Sequence, residues 1–128
     1  VRTQTLLVLD DEAGIRELLQ TVLERHGFHV LTAGRAEEAI RRFEEAGGAV
    51  DLLLTDVRIP GMTGPALAEK LRARRPELRV LYMSGFSPYL ANGPSMAIDA
   101  REFIQKPFTP DELVQRVTEA LQRGREER

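Results

Sequence analysis

Five short apolar runs, at residues 6–9, 30–33, 52–55, 80–83 and 102–105, alternate along the chain with segments of helical period. Strands as continuously apolar as Leu52-Leu53-Leu54 fit a sheet covered on both faces better than one with a wet side. Between the first two runs, Ile15, Leu18, Leu19, Val22 and Leu23 form one helical stripe, which Gly27 can end in a left-handed C-cap. Ala36, Ala39, Ile40 and Phe43 repeat the pattern before Gly47-Gly48, as do Leu67, Ala68 and Leu71 before Arg75-Pro76. The last helix starts on a capping box of Thr109 and Glu112 with Pro110 in its first turn, and Leu113, Val114, Val117, Ala120 and Leu121 supply its buried face. Pro88, Asn92, Gly93 and Pro94 break the stretch between Ser84 and Phe103, so a short or irregular fourth helix is expected there. Strands alternating with helices indicate right-handed βαβ units and an α/β fold. The expectation is a single α/β domain with a parallel five-stranded sheet and helices on both faces, doubly wound if the strands are taken in the order 2-1-3-4-5.

The chain of 128 residues has room for one domain, expected over residues 1–123, with residues 124–128 as a frayed tail or tether. No apolar run approaches the ~20 residues of a membrane span, and the first residues lack the apolar stretch of a secretion signal. A cytoplasmic protein that does not engage a membrane is expected. Eighteen cations against 20 anions give a net charge of −2, so nothing argues for direct nucleic-acid binding. Without cysteine there is no disulfide, thiolate metal site or Cys nucleophile. The absent initiator Met is expected to reflect processing or excision from a longer polypeptide.

In an open α/β sheet, ligands bind beyond the carboxyl ends of the strands, where strand order reverses. The residues there are Asp10-Asp11-Glu12 after the first strand, Asp56 after the third, Ser84 after the fourth and Lys106-Pro107 after the fifth. In the expected order the first and third strands are neighbours, which crowds Asp10 and Asp11 against Asp56. Two carboxylates ~4 Å apart at an effective dielectric near 20 repel by about 4 kcal/mol. A shared proton, a cation or a metal must offset this. Oxygen donors without His or Cys favour Mg²⁺ over zinc, and Mg²⁺ with a few carboxylates implies phosphoryl chemistry. Lys106 fits as a compact ammonium for a carboxylate or phosphoryl oxygen; only it and Lys70 are lysines among the 18 cations.

These residues resemble the receiver domains of two-component response regulators. The match runs from Leu6 to about Leu121 through Leu7-Val8-Leu9-Asp10-Asp11-Glu12, the stretch from Asp56 to Gly64, Met83-Ser84-Gly85, and Phe103-Ile104-Gln105-Lys106-Pro107-Phe108. The resemblance implies a single doubly wound (βα)5 flavodoxin-like domain of strand order 2-1-3-4-5 and an aspartyl-phosphate switch. Asp56 would take a phosphoryl group from a phosphohistidine on a histidine kinase or histidine phosphotransfer protein. Asp11 and Asp56 directly, Asp10 largely through water, and the Arg58 carbonyl would hold Mg²⁺, while Lys106 binds a phosphoryl oxygen. Ser84 would donate its hydroxyl to the phosphoryl group, vacating space for the Phe103 ring. Such a chain catalyses its own phosphorylation and slow dephosphorylation, not turnover of an external substrate. The family often shows a cis bond at the position of Lys106-Pro107. Phe103 stands where a tyrosine is often found, and Arg58 overhangs the site two residues after the nucleophile, so no phosphoryl lifetime follows.

Arg2-Thr3-Gln4-Thr5, Met83-Ser84-Gly85-Phe86 and Gln105-Lys106-Pro107-Phe108-Thr109-Pro110 look like receivers fused to hybrid sensor histidine kinases. The resemblance then implies regulation of a partner or of the chain's own kinase core, as a monomer or weak dimer. Four other readings compete. An acidic pair after a strand commonly serves a helix N-terminus. A receiver-like interaction module that takes no phosphate would need none of the five polar residues. A phosphohydrolase with its Asp nucleophile on the first strand usually carries Asp-x-Asp there, not adjacent aspartates. Dinucleotide binding lacks its glycine-rich turn.

Overall fold

The structure, a computed structural model, describes residues 3–85 and 100–126. The apolar runs form β1 (Thr5–Leu9), β2 (His29–Ala33), β3 (Leu52–Asp56), β6 (Arg79–Ser84) and β7 (Phe103–Gln105). They make one five-stranded parallel sheet of order β2-β1-β3-β6-β7. This is the expected 2-1-3-4-5 order. The numbering differs because two two-residue strands, β4 (Arg58–Ile59) and β5 (Met62–Thr63), pair as a separate antiparallel hairpin. The expected irregular fourth helix falls outside the described residues. A 3-10 turn at Ala100–Glu102 leads into β7.

The pleat sorts the core into two layers, because successive strand side chains point to opposite faces. Leu7, Leu9, Leu53, Val80 and Tyr82 pack with α2 (Ala36–Glu45) and α3 (Gly64–Arg72) through Ala39, Phe43, Leu67 and Leu71. Leu6, Val8, Leu52, Leu54, Leu81 and Met83 pack on the other face against Leu19, Val22 and Leu23 of α1 (Ala13–Arg25) and Leu113, Val117 and Ala120 of the last helix, α4 (Pro110–Glu126).

Local signals place the helix ends. Gly27, at φ 89°, donates to the Glu24 carbonyl while Phe28 donates to Leu23, closing α1 as its sequence predicts. The Thr109 amide donates to Glu112 Oε1 and the Glu112 amide to Thr109 Oγ1, both arms of the capping box. One expectation is corrected. Leu18 is not buried with the α1 stripe but 58 % exposed, because the buried face is narrower than the apolar stripe. The last helix, α4, runs through Gly124 to Glu126. A single glycine weakens a helix by only ~1 kcal/mol, which its good helix-forming neighbours Arg123, Arg125 and Glu126 accommodate.

Gly64 brings α3 against the end of β3. A Cβ there would lie 2.4 Å from the Asp56 carbonyl oxygen and 3.2 Å from Thr55 Cγ2, and the Gly64 amide donates to the Val57 carbonyl at 2.7 Å. Gly64→Ala is expected to lower unfolding free energy in urea by about 2 kcal/mol, the scale of overpacking against rigid backbone. Gly14→Ala, in helix α1 with nothing within 4 Å of the added carbon, is expected to be neutral or stabilising by up to ~1 kcal/mol.

Candidate functional site

Parity along the strands decides which polar side chains meet. Asp10 continues the alternation of Leu6 and Val8, Asp56 that of Leu52 and Leu54, and Lys106 that of Ile104, so all three belong to the face under α1 and α4. Register then sets them side by side, because Leu9 pairs with Thr55 and Ser84 with Gln105. Asp10, Asp11 and Asp56 each offer a carboxylate oxygen, and these oxygens lie within 4.8 Å of one another. Asp10 is fully buried, Asp56 partly and Asp11 exposed. The sequence-predicted cluster is thus assembled.

Lys106 supplies the compensating charge. Its Nζ lies 2.9 Å from Asp10 Oδ2 and 2.8 Å from Asp56 Oδ1, reaching the cluster from a residue 96 positions downstream of Asp10. The Lys106 amide donates to the Ser84 carbonyl at 2.7 Å, joining the ends of β6 and β7 at the rim. Lys106-Pro107 is cis. Burial alone would lower the Lys106 pKa, but hydrogen bonds to Asp56 and Asp10 and their charges outweigh it and raise it. Burial pushes the Asp56 carboxyl up to about 6, with the Asp10 charge adding to the rise and the Lys106 bond opposing it. One ammonium does not neutralise three carboxylates, and the remaining charge is what a hard cation would meet. The donor set, all carboxylate oxygen within a span that a single ion with ligands at about 2.0–2.6 Å can bridge, fits such an ion.

The Asp10 carboxylate also organises its own turn. Its Oδ1 accepts the Glu12 amide at 2.9 Å, yet the N-cap of α1 is Glu12, which makes no side-chain cap. The pair is therefore not a simple helix cap. Glu12 is exposed and outside the acidic cluster. Ser84 is half-buried at the end of β6, and Arg58 is exposed at the start of β4. Phe103 is already buried, with 8 % exposure, in the same core layer as Tyr82, its register partner.

Two features escaped the sequence. A groove of about 520 Å³ opens beside Lys106, lined by Ile15, Leu18, Leu19, Pro107 and Phe108, with Gly85 at its edge. Leu18, counted with the apolar stripe, is an exposed wall of it. The second is Arg16, whose Nη1 donates to the Asp10 carbonyl at 2.7 Å. No spacing rule singles it out from the other charged residues of α1.

The raised Asp56 pKa has a stability consequence. A carboxyl whose pKa is higher folded than unfolded, where it is near 3.8, favours folding when protonated. Its contribution is complete below that unfolded value and is lost as pH rises through about 6. In metal-free buffer, Asp56→Asn is expected to raise Tm by about 3–5 °C at pH 7.5, the effect of ~1 kcal/mol in a domain of this size, and by little at pH 4. Calorimetric scans across that range check it.

Comparison with known proteins agrees with the geometry. The family model of the response regulator receiver domain matches residues 6–118. The transcriptional regulatory protein AruR of Pseudomonas aeruginosa is 37% identical over 123 residues, 94% of this chain and 50% of that protein. Sensor kinase CckA of Brucella abortus is 33% identical over 120 residues, 93% of this chain and 13% of that protein. The chain thus spans half or less of the length of these relatives. Among solved structures, a CheY-like receiver domain protein from Methanospirillum hungatei JF-1 superposes with a TM-score of 0.84 at 27% identity, covering 99% of this chain and 100% of that one. The receiver domain of the hybrid histidine kinase CckA gives 0.75 at 32% identity, covering 91% and 98%. A parallel 2-1-3-4-5 sheet with an acidic cluster and a lysine at its carboxyl rim, matched over nearly its whole length, places this chain in the response regulator receiver domain family.

Proposed function

We propose that this domain accepts a phosphoryl group on Asp56 from a phosphohistidine of a histidine kinase or histidine phosphotransfer protein, in a Mg²⁺-dependent step of a two-component phosphorelay. The observation that carries the reading is the contact of Asp56 Oδ1 with Lys106 Nζ at 2.8 Å inside a cluster of three carboxylates. An Asp56 oxygen attacks phosphorus in line with the histidine nitrogen; the phosphorus–nitrogen bond breaks and the imidazole leaves with its electron pair. Asp11 and Asp56 directly, Asp10 through water and the Arg58 carbonyl would hold the Mg²⁺. When bound, that ion supplies positive charge against the phosphoryl oxygens.

The chain's own residues do the rest. Burial keeps Asp56 short of solvent, and Lys106 orients its carboxylate before attack and pairs with a phosphoryl oxygen after it. Ser84 then donates its hydroxyl to the phosphoryl group. That bond draws the Ser84 loop inward and vacates space for the Phe103 ring, so the signal in this reading is a packing change carried by Ser84 and Phe103. The apolar groove beside Lys106 gives the phosphohistidine-bearing protein a surface adjoining the reacting carboxylate. Water later attacks the acyl phosphate, so the chain dephosphorylates itself slowly and turns over no external substrate.

The likeness to a receiver of CckA supports work as part of a hybrid kinase chain, and the net charge of −2 supports a role without direct DNA contact by this segment. No described helix is long and apolar enough to cross a membrane. The domain acts in the cytoplasm, as a monomer or weak dimer.

Incubation with Mg²⁺ and a small acyl phosphate, read by intact mass, tests the proposal. A gain of one phosphoryl group that vanishes in Asp56→Asn is expected; no gain at any Mg²⁺ concentration would instead favour a constitutive interaction module. Asp11→Asn is expected to weaken Mg²⁺ binding at least tenfold, the scale on which losing metal-site contacts acts. Lys106→Ala is expected to retain Mg²⁺ binding but lose the phosphorylation-dependent change in hydrogen exchange at Ser84 and Gly85. An unaltered exchange change would refute the role given to Lys106.

A further inference from the structure

Arg16 lies in the second turn of α1, close behind the acidic turn at the end of β1, and its Nη1 donates to the Asp10 carbonyl at 2.7 Å. The space it occupies is made by Gly34, just beyond β2. A Cβ on Gly34 would stand 2.8 Å from Nη1 and 3.3 Å from Cζ of Arg16. The φ of Gly34 lies outside the left-handed region, so room for the guanidinium, not backbone freedom, is what glycine supplies here. The Gly34 amide is held by Glu38 Oε1 at 2.8 Å, which fixes the slot to the start of α2.

The carbonyl that Arg16 grips belongs to the peptide joining Asp10 to Asp11. A peptide is planar, so fixing its oxygen fixes the direction in which the chain leaves toward Asp11. The same turn is pinned by the Asp10 amide on the Ala33 carbonyl at 3.2 Å and the Glu12 amide on Asp10 Oδ1 at 2.9 Å. Asp11 is exposed, so its backbone decides where its carboxylate stands relative to Asp10 and Asp56.

We infer that Arg16, seated in the Gly34 slot, is a positioning residue that sets the Asp11 carboxylate for the divalent ion. The inference rests on the reading of the acidic cluster as the Mg²⁺ site. Charge alone predicts the opposite sign, because a guanidinium beside carboxylates repels a dication and its removal should tighten metal binding.

Mg²⁺ titration calorimetry on the wild type, Arg16→Ala, Gly34→Ala and the double variant reads that sign. Arg16→Ala is expected to weaken Mg²⁺ binding about tenfold, within the range for residues that orient metal ligands. Gly34→Ala keeps the charge but expels the guanidinium, and is expected to weaken binding comparably. The double variant should be no weaker than Arg16→Ala alone, since both changes break one device. In metal-free protein, hydrogen exchange at the Glu12 amide should quicken in both single variants while the Leu53 amide in the central sheet stays unchanged. Unchanged or tighter Mg²⁺ binding in Arg16→Ala, or additive losses in the double variant, would overturn the inference. Failure of the wild type to bind Mg²⁺ would overturn the metal reading itself. In that event Glu12 exchange still decides the turn: unchanged exchange removes Arg16 from its role, and faster exchange keeps it as the holder of the turn.

Discussion

One ammonium group holds together what would otherwise fly apart. Three carboxylates converge at the centre of the sheet's carboxyl edge, and Lys106 reaches two of them at hydrogen-bond distance. The pairing satisfies the buried Asp10 and restrains Asp56 without cancelling the acidic charge. Burial, with the Asp10 charge adding to it, pushes the Asp56 pKa up to about 6. Such a site is strained toward binding a cation, because a dication offsets in one step the repulsion that the protein has already built in by folding. Stability and function therefore pull in opposite directions at Asp56, a common arrangement at reactive sites.

The sheet that enforces this convergence was largely legible in the sequence. Short apolar runs without polar interruption marked buried strands, and the acidic and basic residues following them marked the rim. Strand periodicity was legible too. Asp10, Asp56 and Lys106 fall on the parity of the face that α1 and α4 cover, whereas Asp11 and Ser84 fall on the other. Asp10 is buried and bridged by Lys106, while Asp11, one residue further beyond the end of β1, is exposed. Helix boundaries with local chemistry, at Gly27 and at Thr109 with Glu112, were equally readable because a few hydrogen bonds settle them.

What could not be read depends on three-dimensional fit. An apolar stripe does not say how wide the covering sheet is, so Leu18 counted as core yet forms the wall of an open groove. Gly124 stands inside α4, since one unfavourable residue does not break an otherwise favourable helix. Arg16 and Gly34 lie 18 positions apart with no spacing signature, and only the close approach of side chain to backbone relates them.

The carboxyl carbon of Asp56, followed by NMR across pH with and without Mg²⁺, addresses the electrostatic core of this description directly. Titration near pH 6 in metal-free protein, moving well below that value when Mg²⁺ is added, is the predicted result. An ordinary aspartate titration near 3.8 that ignores the metal would mean that the carboxylates are neither crowded nor poised for an ion.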